Sequence, residues 1–209
     1  MGVLEVKGVD KRFGAVVALE NAELEVRRGE VHVLIGSNGS GKSTLCKIIA
    51  GSVMPDAGEI RIEGTVTAIH GPRDAARSGI GVFYQELSLV PQLSVEENLF
   101  LAALPRRGPG MVDRAAMRHG AEAMVERFAA VIGDGFTLDT LIQNLRSDQR
   151  QIVEVLKVLA TNARIIIFDE PTSSLDKSQV NVFFNLIREL MYMGRAIIFI
   201  SNRMDEIFE

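Results

Sequence analysis

Apolar and charged residues alternate through Val3–Val6 and Ala22–Val26, the pattern of half-buried antiparallel strands. The alternation returns at Glu59–Glu63, between turns at Asp56-Ala57-Gly58 and at Gly64. Elsewhere apolar residues run without a break, at Val31–Ile35, Ile80–Tyr84, Ile165–Phe168 and Ala196–Ile200. Unbroken runs of strand length belong to strands covered on both faces. Helical character follows at Leu45–Ala50, closed by Gly51, and at Pro72–Arg77, with proline at the first position. Gln179–Met191 places Val182, Phe183, Leu186, Ile187 and Leu190 on one helix face. Ser94 and Glu97 are spaced as a capping box. Asp113 is expected to cap a long amphipathic helix reaching about Val131, with Met117, Met124, Val125, Phe128 and Val131 in the core. From about Leu87 to Val158 no strong strand signal occurs, so a helical subdomain inserted into an α/β unit is expected. Strands and helices in alternation predict a parallel, helix-covered sheet.

Composition narrows the function. The chain has 209 residues, 47% hydrophobic and 24% charged, and is most simply one domain. Its net charge of −4, with scattered basic residues, carries no electrostatic footprint for nucleic acid. A single cysteine, Cys46, excludes an internal disulfide and is expected to be a buried apolar thiol. His32, His70 and His119 are too dispersed to suggest a metal site. No signal peptide is expected from Met1–Glu5, and the apolar runs are too short for a membrane span.

One stretch carries distinct chemistry. Gly36-Ser37-Asn38-Gly39-Ser40-Gly41-Lys42-Ser43-Thr44 fits G-x-x-x-x-G-K-[ST] and lies between an expected strand and an expected helix. Its glycines allow the backbone to wrap closely round phosphates, and converging N–H groups at a helix N-terminus make an anion nest. Lys42 adds a positive charge for the β- and γ-phosphates, and the Ser43 hydroxyl is placed to ligate Mg²⁺. Downstream, the apolar strand Ile165–Phe168 ends in Asp169-Glu170. Acids at such a strand end suit Mg²⁺ binding by Asp169 and polarisation of an attacking water by Glu170.

The order of these pieces resembles the ATP-binding-cassette (ABC) family across nearly the whole chain. The resemblance rests on Phe13, the phosphate loop, Gln85, Leu145-Arg146-Ser147-Asp148-Gln149, Asp169-Glu170, Ser174-Leu175-Asp176 and Ser201-Asn202-Arg203. It implies an α/β fold, a P-loop NTPase (RecA-like) parallel-sheet core with an N-terminal antiparallel β subdomain and an inserted helical subdomain. The core is expected at about 1–86 and 159–209, and the helical subdomain at about 87–158. By the same resemblance Phe13 stacks on adenine, Gln85 touches Mg²⁺ and water, and Asp176 lies in the loop facing an opposing cassette. Asn202 takes the place of the residue that positions the attacking water. ATP and Mg²⁺ are the implied cofactors. Gln85-Glu86-Leu87-Ser88-Leu89-Val90-Pro91, followed by Leu93-Ser94-Val95-Glu96-Glu97-Asn98, is similar to the monosaccharide-importer branch, which often carries two cassettes in one polypeptide. The implied partners are a second cassette (a homodimer or the other half of a tandem chain), integral membrane permease subunits and, indirectly, a periplasmic or extracellular sugar-binding protein. The implied location is the cytoplasmic face of the membrane, and the chain is expected to be a fragment or half of a longer protein.

Two positions depart from the family pattern. Its signature, Leu-Ser-Gly-Gly-Gln, here reads Leu145-Arg146-Ser147-Asp148-Gln149. Asp148 brings a carboxylate towards a triphosphate; unit charges about 5 Å apart at an effective dielectric near 20 repel by roughly 3 kcal/mol. Whether Arg146 offsets this is open at the level of sequence. Asn202 stands where the family has histidine, and it has no positive form and no proton to shuttle. The expected function is an importer subunit that binds ATP and hydrolyses it slowly. The alternative is a catalytically weak cassette acting as a regulatory or structural partner. A non-transport cassette in DNA repair or translation ranks below both, because no coiled-coil, zinc or linker insertion is visible.

Overall fold

A computed structural model describes residues 2–37, 39–84, 88–102, 104–108 and 110–201. Asn38, Gln85, Glu86, Leu87, Asn202 and Arg203 therefore lie outside the described residues, as does the rest of the chain beyond Asn202. Two units are distinguished, one formed by residues in 1–82, 163–170 and 187–209, the other by residues 83–162 and 171–186.

In the first unit, the alternating segments become β1 (Leu4–Phe13), β2 (Val16–Val26) and β4 (Ala57–Ile62). They pair antiparallel in a four-stranded sheet of order β2-β1-β4-β5, where β5 is Thr65–Val66. The strands are longer than the alternation implies, because β1 and β2 continue past their regular register through irregularities between Val6 and Arg12. The unbroken apolar runs become β3 (Val31–Leu34), β6 (Ile80–Phe83), β9 (Ile165–Asp169) and β10 (Ala196–Ile200). They form a second four-stranded sheet of order β3-β10-β9-β6, in which β10 runs parallel to both β3 and β9. All five residues of β10 are buried, as are Ile165, Ile166, Ile167 and Phe168 of β9. Burial on both faces accounts for the absence of alternation in these strands.

The core of this unit joins Val3, Leu4, Val6 and Val9 of the antiparallel layer to Ile165, Ile167, Ile198 and Ile200 of the parallel sheet. Leu45, Cys46, Ile48 and Ile49 of α1 (Lys42–Ile49) belong to the same cluster. Cys46 is a free, buried thiol, its pKa pushed up to about 12 by burial and then by the charge of Asp169. It is an inert core residue under ordinary conditions. α2 (Pro72–Arg77) adds Ala75 to the cluster.

The second unit contains α3 (Val95–Leu99), α4 (Arg114–Val125) and α5 (Ser147–Ala160). The Ser94 cap is present with both of its bonds: Glu97 N donates to Ser94 Oγ at 3.2 Å, and Ser94 N donates to Glu97 Oε2 at 2.9 Å. Two features differ from the sequence pattern. Arg106–Gly108 (β7) and Met111–Val112 (β8) form a small antiparallel hairpin where no strand was expected. The long amphipathic helix ends at Val125 and tightens into a 3₁₀ turn at Glu126–Phe128. That change of pitch alters which side chains share a face: Met117, Ala121 and Phe128 are buried, whereas Met124, Val125 and Val131 are only partly covered. α6 (Lys177–Tyr192) begins among residues of this unit, with Phe183 buried and set edge-on to Phe184.

Candidate functional site

Within the first unit, β3 leads into the glycine-rich loop and the loop into α1. Gly41 caps the helix in the left-handed region at φ 88°, and Leu45 N donates to Gly41 O at 2.9 Å. The first turn of α1 carries no acidic side chain, so its N–H groups and positive dipole end are left for an external anion. Lys42 lies over the loop, its Nζ donating to Gly36 O at 2.6 Å, Ser37 O at 3.0 Å and Ser40 Oγ at 3.2 Å. Ser43 is exposed at the mouth of the loop, and Thr44 is partly covered.

The loop is held from one side by the antiparallel layer. A side-chain carbon at Gly41 would stand 2.6 Å from Ala18 O and 2.7 Å from Leu19 Cδ2 of β2. Phe13 ends the paired strand β1, directly before the turn at Gly14, and faces Val16 in the register. It is half exposed, with Lys11 Nζ 5.5 Å from the ring centroid, so it is a surface aromatic and not a core residue.

Asp169 closes β9 opposite Ile200 of β10. Glu170 follows at φ 51°, and its backbone N donates to Ile200 O at 3.0 Å. A glutamate in the left-handed region is a strained position, held here by that backbone bond. Burial, and secondarily the charge of Glu170, raises the Asp169 carboxyl above the usual aspartate range; Lys47 and Lys42 pull it back in part. Two acids in sequence beside Lys42 and the exposed Ser43 hydroxyl suit a hard divalent cation. Ser43 and Asp169 are the donors that would hold Mg²⁺, and the ion would supply charge neutralisation.

The raised Asp169 has a consequence for stability. An acid with an elevated folded-state pKa binds its proton more tightly folded than unfolded. Stability therefore falls as pH rises through the interval above the unfolded value, and the full cost is present at neutral pH. Asp169→Asn is expected to raise the melting temperature of the nucleotide-free protein by a few degrees, given that about 1 kcal/mol moves Tm by roughly 2–4 °C at this size. The same substitution is expected to abolish the extra stabilisation by Mg²⁺ with ATP over ATP alone. Thermal melts with and without each ligand check both; a lower Tm for the free variant contradicts the burial argument.

The altered signature lies in the second unit, at the start of α5. Arg146 forks onto Asp148, with Nε 3.1 Å from Oδ1 and Nη2 2.9 Å from Oδ2. Gln179 Nε2 donates to the same Oδ2 at 2.9 Å and to Val131 O at 3.1 Å. Burial pushes the Asp148 carboxyl upward, but the bonds from Arg146 and Gln179 outweigh it and hold the group below the usual range. The charge of Asp148 is thus already paired within its own unit. Gln149 is buried, its Oε1 accepting from Arg146 N at 3.1 Å and its Nε2 donating to Ile132 O at 3.1 Å. Ser147, between them, is exposed.

Asp176 caps α6: Oδ1 accepts from Gln179 N at 2.9 Å and Ser178 Oγ at 2.6 Å. These bonds lower its pKa. Gln151, buried on α5, holds the preceding segment, with Ser174 N donating to Oε1 at 2.9 Å and Nε2 donating to Ser173 Oγ at 3.2 Å. Gln151 and Gln179 are the site-supporting residues that pattern reading passes over, because a search for apolar periodicity does not register a buried amide. Gln85, Asn38 and Asn202 fall outside the described residues. Among the described residues no helix is long and apolar enough to cross a membrane.

With this geometry in hand, residues 19–173 match the family model described as ABC transporter. A protein of Ralstonia nicotianae, named for ribose/galactose/methyl galactoside import and as ATP-binding, is 44% identical over 207 residues, covering 99% of this chain and 39% of its own length. The ribose import ATP-binding protein of Chromobacterium violaceum is 45% identical, covering 97% of this chain and 40% of its own length. The chain thus spans about two-fifths of the curated relatives it matches. A dimeric ATP-binding cassette solved in a post-hydrolysis state with ADP and Pi is 25% identical, with a TM-score of 0.82 over 97% of this chain and 89% of that one.

Proposed function

This chain belongs to the ABC transporter family, and from that premise we propose that it is an ATP-binding cassette of a sugar importer, hydrolysing ATP to drive uptake through a membrane permease. The observation that carries the reading is the convergence, within one unit, of the Lys42 loop with the Asp169–Glu170 strand end. ATP lies with its phosphates in the loop, Mg²⁺ between Ser43 and Asp169, and adenine against Phe13. Glu170 polarises the water, with Gln85 and Asn202 beside it. The sugar class is supported by the import names of relatives at 44% and 45% identity. A second cassette supplies the opposing signature, and a permease brings the assembly to the cytoplasmic face of the membrane.

Turnover is proposed to be slow. Asn202 weakens the site on this chain's own loop, and the Arg146–Asp148 pair weakens the site offered to a partner. The second reading, a cassette that closes on ATP with little hydrolysis, is favoured by the same pair: the α5 N-terminus already holds a paired carboxylate where a phosphate would approach.

The test is Mg²⁺-ATP hydrolysis against protein concentration, for the parent and for Asn202→His, with ATP affinity measured in parallel. The parent is expected to bind ATP and turn over well below the median enzyme rate of about 10 s⁻¹, with Asn202→His faster by about tenfold or more. A parent already at that median rate, with cooperative dependence on concentration, overturns slow turnover. A folded parent with ATP affinity weaker than about 1 mM overturns the cassette reading itself. Co-purification with an integral membrane protein tests the transport role.

A further inference from the structure

Glu154 lies on α5 seven residues beyond Ser147, about 10 Å along the helix at 1.5 Å per residue. It is 1% exposed, and the neighbouring Lys157 side chain is 14% exposed. Both meet at Ser88. Ser88 Oγ donates to Glu154 Oε1 at 2.7 Å and accepts from Lys157 Nζ at 2.6 Å. Lys157 Nζ also donates to Ser88 O at 3.0 Å and to Glu154 Oε1 at 3.3 Å. The other carboxylate oxygen, Oε2, is buried without a partner. Two residues on, Val90 is fixed by the buried Asn98 of α3, which accepts from Val90 N at 2.8 Å and donates to Val90 O at 3.1 Å.

A buried ion pair with an unsatisfied oxygen is a poor way to stabilise a helix; apolar residues of the same volume would usually serve as well or better. Nor does Ser88 need such an anchor for burial, since it is exposed. What the pair does is fix one backbone position, three residues after Gln85 in the chain, to the helix that begins with the signature. We propose that Glu154 and Lys157, acting through Ser88, are positioning residues for Gln85, holding its segment at a set place relative to the signature end of α5. The proposal rests on the role given to Gln85 above.

The experiment uses the full-length protein carrying Ser88→Ala, Ser88→Thr or Lys157→Met, each with and without Gln85→Ala. Mg²⁺-ATP kinetics and amide hydrogen exchange of residues 84–93 are measured on all of them. Ser88→Ala is expected to lower kcat about fivefold with KM changed less than about twofold, and Lys157→Met about tenfold. Ser88→Thr, which keeps the hydroxyl, is expected to restore kcat. In the Gln85→Ala background the same losses shrink to less than about twofold, because residues acting in one chain of contacts are not additive. A purely structural role would instead give the same fold-loss in both backgrounds, and that result overturns the proposal. If the parent hydrolyses no ATP, the ATPase reading fails and exchange decides the clamp alone. Faster exchange in Ser88→Ala but not in Ser88→Thr supports it, and unchanged exchange in Ser88→Ala overturns it. Should Lys157→Met fail to fold, the exposed Ser88 pair still completes the test.

Discussion

Glu170→Gln is expected to bind Mg²⁺-ATP as tightly as the parent and to hydrolyse it about 10²–10³-fold more slowly, the range lost when a positioned general base is removed. The amide keeps the size and shape of the carboxylate and loses its charge and basicity. The backbone that sets Glu170, with φ 51° and its N–H on Ile200 O, does not depend on the side chain. Binding should not suffer, because the charge of Glu170 is one of the causes that raise Asp169. Removing it leaves Asp169 more readily ionised for Mg²⁺, so affinity for Mg²⁺-ATP holds or tightens. Steady-state hydrolysis and nucleotide titration on the same preparation separate the two effects. Equal turnover in a variant that still binds ATP would show that another group activates the water. The drop is best read on Asn202→His, where a faster parent leaves more room to see it.

Much of this arrangement can be read from residues alone, for identifiable reasons. Unbroken apolar runs mark β9 and β10 because those strands are buried on both faces. The glycine spacing of residues 36–44 allows few backbone solutions, and Ser94 with Glu97 specifies a helix start through two local bonds. The β7–β8 hairpin escapes because Arg106-Arg107-Gly108 and Met111-Val112 are short and exposed, with nothing to alternate against. The polar interior of the second unit escapes for a different reason. Gln149, Gln151, Glu154 and Gln179 are buried by bonds to partners far along the chain, such as Ile132 O, Ser174 N, Ser88 Oγ and Val131 O. Such partners leave no local periodicity. These bonds also account for Pro171–Leu186 grouping with residues 83–162, since Gln151 and Gln179 tie that segment to them. The direction of Arg146 was open in the sequence and is settled by geometry: the carboxylate two residues away is nearer than any external anion.

A pair of glycine substitutions should separate backbone strain from steric exclusion in the phosphate loop. Gly39 and Gly41 have nearly the same positive φ, 84° and 88°. A side-chain carbon at Gly39 would meet nothing within 4 Å, whereas at Gly41 it would stand 2.6 Å from Ala18 O. Gly39→Ala therefore bears only the left-handed cost of about 1–2 kcal/mol, and ATP affinity is expected to fall by roughly fivefold to thirtyfold. Gly41→Ala bears the same cost and must also displace a backbone carbonyl of a paired strand, which cannot swing aside as a side-chain end can. Its loss is expected to exceed about 100-fold, with the fold retained because the disturbance sits at the mouth of α1 and not in the core. ATP titration measures the loss, and circular dichroism with thermal melting confirms the fold. Equal losses at the two positions would mean that strain alone governs the loop and that β2 does not hold it. An unequal pair, with Gly41→Ala the worse, makes the antiparallel layer part of the nucleotide site, since the strand carrying Ala18 would then be what keeps the Lys42 loop in its binding shape.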